Sequence, residues 1–458
     1  MRNLKKSRAL FLTAVASGTM LNPLNSSMIS LALHSIQKDF HLSFTTVSWL
    51  ISSFYLASAI AQPVTGKIGD LIGRKKLFLI GLILVAISAF GAPLAPTFFV
   101  LLIMRLFQSI GSGAIYPSGV ALVQSNIHER QASALAVLSI FASAMTALGP
   151  TLGGFLIIWG DWPAIFTVNF PFIIISFLLG WFMFPKDKKQ AGSSIKNALL
   201  HLDFIGIFLF AAGMVLLLWF LLSFNTSPHY IAGIGGLLFV ILFVWRELKA
   251  KDPFIDVRLF KTNRALTSVY VQFIVLNLFN YCLFFGMPTY FQDEMHLSVR
   301  TSGLLMLFMS GVSIIVSPLA GKWIDKAGAK QPIMAGAIFM FIGAIFLTVF
   351  FIHVPIIVMG FILAFLGIGY GLGNVALQVA MLDATPENII GTSSGLFQTC
   401  RYLGSILSSV VLGLVFGKAI TPENMQTLGF IMIIVSIVSI LLSLQYVKSS
   451  IHLKKTVQ

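Results

Sequence analysis

Continuous apolar runs, each of about 18 residues or more, recur along almost the whole chain and constrain its fold more than any other feature. A helix of about 20 apolar residues spans the hydrocarbon core of a bilayer and satisfies its own backbone hydrogen bonds. The runs do not alternate, which excludes the pattern of a membrane β-barrel. Only 10% of the 458 residues are charged, against about 25% in soluble domains. The sequence therefore predicts an all-α polytopic membrane protein.

Basic residues set the predicted orientation. Hydrophobicity and polar breaks together predict about fourteen transmembrane helices. With the N-terminus inside, Lys38, Arg300 and Lys418 fall in outside loops, Arg105 and Arg401 fall within spans, and every other Lys and Arg faces the cytoplasm. This asymmetry predicts a plasma-membrane protein with both termini in the cytoplasm. The net charge of +15 is then a topology signal, and no nucleic-acid partner is expected.

An internal repeat indicates two related halves. PVTGKIGDLIGRKK begins at Pro63, and PLAGKWIDKAGAKQ begins 255 residues later at Pro318; both contain Pro, Gly-Lys, Asp, Gly and Lys in the same register. A weaker echo pairs GSG at Gly111 with GYG at Gly369. Repeated halves around a site near the bilayer midplane are typical of secondary transporters.

Two long polar stretches mark the predicted domain boundaries. They follow Pro185 and Arg246, lie on the cytoplasmic side and bracket two spans in the centre of the chain. The chain is predicted to divide into an N-terminal six-helix bundle (1–184), a linker with two inserted transmembrane helices (185–264) and a C-terminal six-helix bundle (265–458). Two such bundles are expected to rock about a wet central chamber.

At these motifs the chain resembles the major facilitator superfamily. GKIGDLIGRKK from Gly66 is similar to its loop signature between the second and third helices, and RLFQSIGSG from Arg105 to its fourth-helix signature, with Ser109 where Gly is usual. GPTLGG from Gly149 resembles the fifth-helix signature of exporters, and DWPAIFTVNFP from Asp161 the entry to the sixth helix. With about fourteen spans, the resemblance implies the drug:proton antiporter family, whose fold is two six-helix bundles plus two extra central helices.

The resemblance also implies roles for the repeated loops and the fifth helix. A cytoplasmic latch is formed by Gly66, Asp70, Gly73 and Arg74, with Gly321, Asp325 and Gly328 as its second copy. A kink or close approach of the fifth helix is attributed to Gly149, Pro150, Gly153 and Gly154. The alternatives are solvated loop charges for Asp70 and Asp325, and ordinary small-residue packing for the fifth helix.

The only charged side chains predicted at membrane depth are those of arginines. None of the 15 Asp and Glu residues is predicted at mid-membrane, and Asn25 occupies the first-helix position where the family commonly has an acidic residue. Arg105 and Arg401 lie at depth, where an unpaired cation costs at least ~2.5–3.5 kcal/mol. Two interpretations stay open for each arginine. In the structural one, helix carbonyls and the Asn25 amide hold Arg105; in the functional one, the arginine couples transport or recognises an anion in the cavity.

Further candidates for a substrate cavity are amides beside methionine and aromatic side chains, because such groups adapt to apolar compounds of different shape. Core or lipid-facing packing is the alternative for each of them. In the first half they are Asn22, Asn25, Ser26, Gln108 and Tyr116; in the second half they are Asn277, Asn280, Tyr281, Phe284, Met306, Met309, Asn374, Gln378, Phe397 and Gln398.

The sequence contains no nucleophile–base pair, metal-ligand spacing or nucleotide fingerprint in a suitable context, so we expect no enzyme, metal or cofactor. It predicts a secondary exporter of small amphipathic compounds in the lipid bilayer, driven by the proton gradient and working as a monomer by alternating access. A narrower hypothesis is a zwitterionic or anionic substrate, such as a fluoroquinolone or a fatty acid, whose acid group meets Arg105 or Arg401. Import of a small nutrient, a non-transporting receptor and a lipid-acting enzyme are the alternatives.

Overall fold

The computed structural model describes residues 2–42, 44–47, 49–187, 203–223, 228–416 and 420–456, so residues 188–202 of the predicted linker lie outside it. Within these ranges the regular structure is helical, with no strand, which confirms the predicted all-α class. We label the long helices α1 (Arg2–Thr19), α2 (Leu21–Asp39), α3 (Trp49–Ile72), α4 (Arg74–Gly91), α5 (Phe98–Asn126), α6 (Gln131–Gly160), α7 (Asn169–Met183), α8 (Phe204–Ser223), α9 (Tyr230–Lys249), α10 (Arg264–Thr289), α11 (Val299–Ala327), α12 (Lys330–Val349), α13 (Ile356–Ala384), α14 (Ile390–Phe416) and α15 (Pro422–Thr456). The shorter helical segments are Phe44–Val47, Ala92–Leu94, Ala164–Thr167, Val257–Thr262, Tyr290–Glu294, Phe351–His353 and Glu387–Ile389.

Many of these helices are suited to lipid. In the described part of the chain, eleven helices are long and apolar enough to cross a membrane. Large apolar side chains on their surfaces are strongly exposed, for example Ile231 at 89% and Phe182 at 78%. Such a surface is stable against hydrocarbon and not against water. The chain is therefore a multi-pass membrane protein, while the total of about fourteen spans stays a prediction.

The first predicted span consists of two helical segments. Helix α1 ends at Thr19 and α2 begins at Leu21, with Met20 between them. Pro23 has no amide hydrogen and cannot donate to the carbonyl of Thr19, four residues earlier. The Leu24 amide resumes the helical pattern by donating to the Met20 carbonyl at 3.1 Å. The interruption places Asn25 in the first turns of α2.

Contacts divide the chain into two compact units. Unit 1 comprises Met1–Phe204 and Pro386–Thr399, and unit 2 comprises Ile205–Thr385 and Cys400–Gln458. Helix α14 thus begins in unit 1 and continues in unit 2. The predicted bundle boundaries after residues 184 and 264 stay predictions.

The same helix crossing occurs once in each unit. Helices α5 and α13 each have 29 residues. In unit 1, a Cβ added at Gly111 of α5 would lie 2.7 Å from the carbonyl oxygen of Gly81 in α4. In unit 2, a Cβ added at Gly369 of α13 would lie 3.0 Å from the carbonyl oxygen of Gly336 in α12. Only glycine permits backbones this close. The weak sequence echo therefore corresponds to a repeated close contact between helices.

The repeated loop glycines both adopt positive φ, 108° at Gly73 and 77° at Gly328, a region that favours glycine. Their surroundings differ. The carboxylate of Asp187 accepts from the backbone amides of Lys75 at 3.0 Å and Lys76 at 3.1 Å, so it caps the first turn of α4. A Cβ added at Gly73 would overlap that carboxylate. The loop before α4 is therefore fixed by a residue that follows α7.

We expect Gly73→Ala to destabilise the protein more than Gly328→Ala. Both variants place alanine at positive φ, which costs about 1–2 kcal/mol. Only Gly73→Ala also displaces the Asp187 carboxylate, whereas an added Cβ at Gly328 meets no described atom within 4 Å. Thermal unfolding of the two detergent-solubilised variants measures the difference. Equal melting temperatures would contradict a stabilising role for the Asp187 cap.

Candidate functional site

Arg105 is fully enclosed in unit 1, with 1% of its surface exposed. Its Nε donates to the Leu50 carbonyl at 3.4 Å, Nη2 donates to the Asn25 carbonyl at 3.0 Å, and Nη1 donates to Oε1 of Gln108. The guanidinium carbon lies 4.1 Å from the centroid of the Phe54 ring. Among the described residues no carboxylate forms an ion pair with Arg105. Neutral oxygens and an aromatic face therefore surround this cation.

The side-chain amide of Asn25 pairs with a second amide and not with Arg105. Nδ2 of Asn25 donates to Oδ1 of Asn169 at 2.8 Å, and Nδ2 of Asn169 donates to Oδ1 of Asn25 at 2.9 Å. The two residues are 3% and 0% exposed. A carboxylate at position 25 could accept from Asn169 but could not donate to it. Asparagine at position 25 therefore completes a neutral pair. The sequence contains Asn169 in the sixth-helix motif but did not predict this partnership.

A network of hydroxyl groups adjoins the Arg105 site. Asn22 donates to Ser112 Oγ at 3.0 Å, Ser58 and Ser109 share a hydrogen bond of 2.8 Å, and Ser109 donates to the Phe54 carbonyl at 2.8 Å. Because the Phe54 ring also contacts Arg105, the two sets of polar groups meet at this residue. Ser109 thus adds a hydrogen-bonding group to the packing of α3 against α5.

Arg401 on α14 has different surroundings in unit 2. It is partly exposed, and its Nε donates to the hydroxyl of Tyr281 on α10 at 3.2 Å. The phenols of Tyr370 and Tyr402 lie close enough to interact with the guanidinium electrostatically. Tyr281 also contacts Phe284, with ring centroids 6.3 Å apart. The structure therefore brings three of the predicted residues, Arg401, Tyr281 and Phe284, together with Tyr402, which follows Arg401 in the chain, and with Tyr370, which sequence reasoning missed.

The other cavity candidates are distributed over both units. Asn277 is buried, and its Oδ1 accepts no hydrogen bond from the described residues. In unit 1, Ser26 and Tyr116 are partly exposed, while Phe397 and Gln398 are buried at the beginning of α14; in unit 2, Asn280, Met306 and Asn374 are partly exposed, while Met309 and Gln378 are buried.

The first copy of the predicted latch binds the beginning of α14. The Asp70 side chain, 4% exposed, accepts from the backbone amides of Gly391 at 3.0 Å and Thr392 at 2.9 Å, and from Thr392 Oγ1 at 3.1 Å. Arg74 lies 3.6 Å from Asp70 and donates to the Glu387 carbonyl at 2.8 Å. A carboxylate at the unpaired amides of a helix start is stabilised by the helix dipole. These contacts all lie within unit 1.

Burial and hydrogen bonding act on Asp70 in opposite directions. The residue lies beyond the predicted end of the second span, and burial raises the pKa of its carboxyl above the ordinary value. The amide of Thr392, the charge of Arg74 and the amide of Gly391 each lower that pKa. Without these amides and the Arg74 charge, the pKa of the Asp70 carboxyl would therefore rise further. A protonated carboxyl would bind the start of α14 more weakly.

The two copies of the latch differ. At Gly66 an added Cβ would overlap the carbonyl of Gly391, so the first copy also depends on close backbone packing. In the second copy Gly321 is buried, but Asp325 is exposed, and Ala329 stands where the first copy has Arg74. The second copy of the latch therefore has no arginine that corresponds to Arg74, the partner of Asp70 in the first copy.

The fifth-helix glycines pack against the first predicted span. Helix α6 runs without interruption through Gly149 and Gly153. A Cβ added at Gly149 would overlap Ser27, and one added at Gly153 would lie 3.3 Å from the Cβ of Met28. Gly154 is partly exposed, and the side chain of Pro150 lies outside the described part. These contacts are those expected of small-residue packing; a kink remains a prediction.

Comparisons with known proteins agree on one family. A model described as Major Facilitator Superfamily matches residues 15–409. The chain is 72% identical over 442 residues to the uncharacterized MFS-type transporter YwoD of Bacillus subtilis (strain 168), covering 96% of this chain and 98% of that protein. It is 26% identical over 417 residues to the multidrug resistance protein Stp of Mycobacterium tuberculosis (strain CDC 1551 / Oshkosh), covering 90% and 76%.

Two further comparisons widen the range of relatives. The chain is 24% identical over 417 residues to the riboflavin transporter RibZ of Clostridioides difficile (strain 630), covering 91% of this chain and 90% of that protein. The solved structure of the proton:xylose symporter XylE superimposes with a TM-score of 0.68 at 17% identity, covering 97% of this chain and 96% of that one. Likeness at this identity establishes the fold alone.

Proposed function

The chain belongs to the Major Facilitator Superfamily, and from that premise we propose that it is a proton-driven secondary exporter of small amphipathic compounds. Proteins of this family and fold are transporters and not enzymes. The name of the relative Stp, a multidrug resistance protein, supports export of drugs. The GPTLGG stretch of α6 supports the same direction through its resemblance to exporters. In this proposal the protein works as a monomer in the plasma membrane, with both termini in the cytoplasm.

The observation that carries the proposal is the contact of Asp70 with the start of α14. Charge-assisted hydrogen bonds are strong enough to stabilise one conformation. They can also be exchanged for water without unfolding a helix, because a helix start is solvated readily. Helix α14 carries this contact at its beginning and contributes its remainder to unit 2. Alternating access requires a contact that is made in one conformation and broken in the other. In this proposal the contact of Asp70 with the start of α14 is such a contact.

The proton is not carried by Asn25 in this proposal. Its amide does not titrate, and it is paired with Asn169. A carboxylate nearer the membrane surface, or one on the substrate, takes the role that an acidic residue in the first span would have. Net proton movement is then coupled to substrate movement by the common alternating-access step.

Flux measurements on purified protein in liposomes test the proposal. We expect an imposed pH gradient to drive the accumulation of ethidium or norfloxacin, and a protonophore to abolish that accumulation. No gradient-driven flux of either probe would contradict the proposal. The name of RibZ favours a second candidate, transport of a small nutrient, and riboflavin is therefore the third probe. Gradient-driven riboflavin flux without drug flux would favour that candidate.

A further inference from the structure

The two arginines at membrane depth differ in what can reach them. Arg105 is 1% exposed, and neighbouring groups of unit 1 accept hydrogen bonds from all three of its nitrogens. A ligand could contact this guanidinium only if those contacts were broken. Arg401 is partly exposed on α14. Of the two cations, Arg401 is therefore the one suited to contact a ligand.

The neighbours of Arg401 suit an anion with two oxygens. Tyr281 accepts from Nε at 3.2 Å, and the phenols of Tyr370 and Tyr402 lie nearby. A phenol hydroxyl is formally neutral and can both accept from a guanidinium and donate to an anion. The planar guanidinium matches a carboxylate in a two-point arrangement, which a lysine ammonium does not. The Tyr281 hydroxyl beside it can donate a further hydrogen bond to the same carboxylate.

Aromatic rings adjoin this charged group. Tyr281 stacks on Phe285 with centroids 5.5 Å apart and an interplanar angle of 26°, and Phe284 meets Phe285 edge to face at 5.6 Å. Phe285 is 38% exposed, and Tyr281 and Phe284 are partly exposed. Accessible ring faces and edges favour a flat aromatic partner, since ring pairs gain energy beyond the area they bury.

We propose that Arg401, Tyr281, Tyr370 and Phe284, all partly exposed, form a binding site for aromatic carboxylates, which we call the arginine–tyrosine site. The proposal rests on the proposed transport function and narrows its substrates to planar aromatic acids, including zwitterions such as fluoroquinolones. The carboxylate binds the guanidinium and the phenols, and the ring system packs on Tyr281 and Phe284. A fatty acid supplies the carboxylate without the rings, so it binds more weakly.

Binding to the purified full-length protein in nanodiscs tests this site. The probes are norfloxacin, its methyl ester and oleate; the ester keeps the ring system and the amine but loses the acid charge. We expect the wild-type protein to bind norfloxacin at least about tenfold more tightly than the ester, as for a charge-assisted pair away from bulk water. Arg401→Gln is expected to abolish that preference, and Arg401→Lys and Tyr281→Phe to reduce it. Arg264→Gln, at an exposed arginine of α10, is the matched control and is expected to retain it.

Several results would overturn the site. They are an equal affinity of the wild-type protein for norfloxacin and its ester, a preference that survives in Arg401→Gln, and an affinity for oleate that matches that for norfloxacin. If Arg401→Gln does not yield folded protein, Arg401→Lys and Tyr281→Phe decide the question, and an unchanged preference in both overturns the site. Ethidium flux separates the two proposals. Flux that persists while the acid preference is missing refutes the site alone, whereas absent flux of every probe refutes the transport function.

Discussion

Replacing Asp70 by asparagine is expected to raise the hydrogen-exchange rate of the Gly391 and Thr392 amides at least about tenfold, because a hydrogen bond to a charged group contributes about 1.5–3 kcal/mol and 1.4 kcal/mol is a factor of ten. Asp70 accepts from these amides at 3.0 and 2.9 Å. Asparagine keeps one acceptor oxygen, but its NH2 group would face a donor, and the charge that pairs with Arg74 is lost. Exchange measured by mass spectrometry on peptides within 386–399 reports the change.

Asp325→Asn is the matched control for Asp70→Asn. It makes the same chemical change at the corresponding position of the repeat, but Asp325 is exposed. We expect it to leave exchange within 386–399 unchanged. Transport is expected to fall more in Asp70→Asn than in Asp325→Asn, since only the first contact fixes the start of α14. Equal exchange in both variants would show that Asp70 does not hold that helix start.

Local sequence identified the latch but not what it binds. The spacing of Gly66, Asp70, Gly73 and Arg74 predicted that they act together, because the motif and its repeat are both contiguous. The amide of Thr392, which Asp70 contacts, lies 322 residues further along the chain. That contact depends on how α3 packs against the start of α14, and no local pattern reports helix packing across such a separation.

For the polar contacts inside unit 1, too, the sequence predicted that partners are needed but not which groups they are. The cost of a buried cation predicted that Arg105 needs partners, and helix carbonyls and Asn25 were among those expected. The structure shows that Arg105 uses the Asn25 carbonyl, because the Asn25 side chain is committed to Asn169. Asp187, which caps α4, was also missed, since its partner amides lie more than 100 residues away.

The helical fold, in contrast, follows from the sequence directly. A bilayer leaves backbone groups no solvent to bond with, so each long apolar run must be a helix whatever its neighbours are. One feature was not predicted: Pro23 interrupts the first predicted span at Met20, where the missing amide leaves the Thr19 carbonyl without its donor. The position of a proline alone does not predict such an interruption, because Pro63 and Pro117 lie inside α3 and α5, which continue through them.

A loss of stability is expected for Gly66→Ala. Alanine normally stabilises a helix by about 0.5–1 kcal/mol relative to glycine. At Gly66, however, the added Cβ would overlap the Gly391 carbonyl, so α3 and the start of α14 would have to separate. Overpacking of this kind costs about 1–3 kcal/mol. Separation would also lengthen the Asp70 hydrogen bonds at Gly391 and Thr392. We therefore expect a lower melting temperature in detergent than that of the wild-type protein.

Gly311→Ala in α11 is the matched control for Gly66→Ala, and we expect it to raise the melting temperature. No described atom lies within 4 Å of a Cβ added there, so the gain in helix propensity is not offset by a clash. Gly391→Ala tests the same crossing from its other side, where the added Cβ would lie 2.7 Å from the Gly66 carbonyl oxygen, and it should destabilise the protein as Gly66→Ala does. If Gly66→Ala melts as high as Gly311→Ala, the backbones at this crossing are further apart than the structure places them, and the close packing proposed for the latch is wrong.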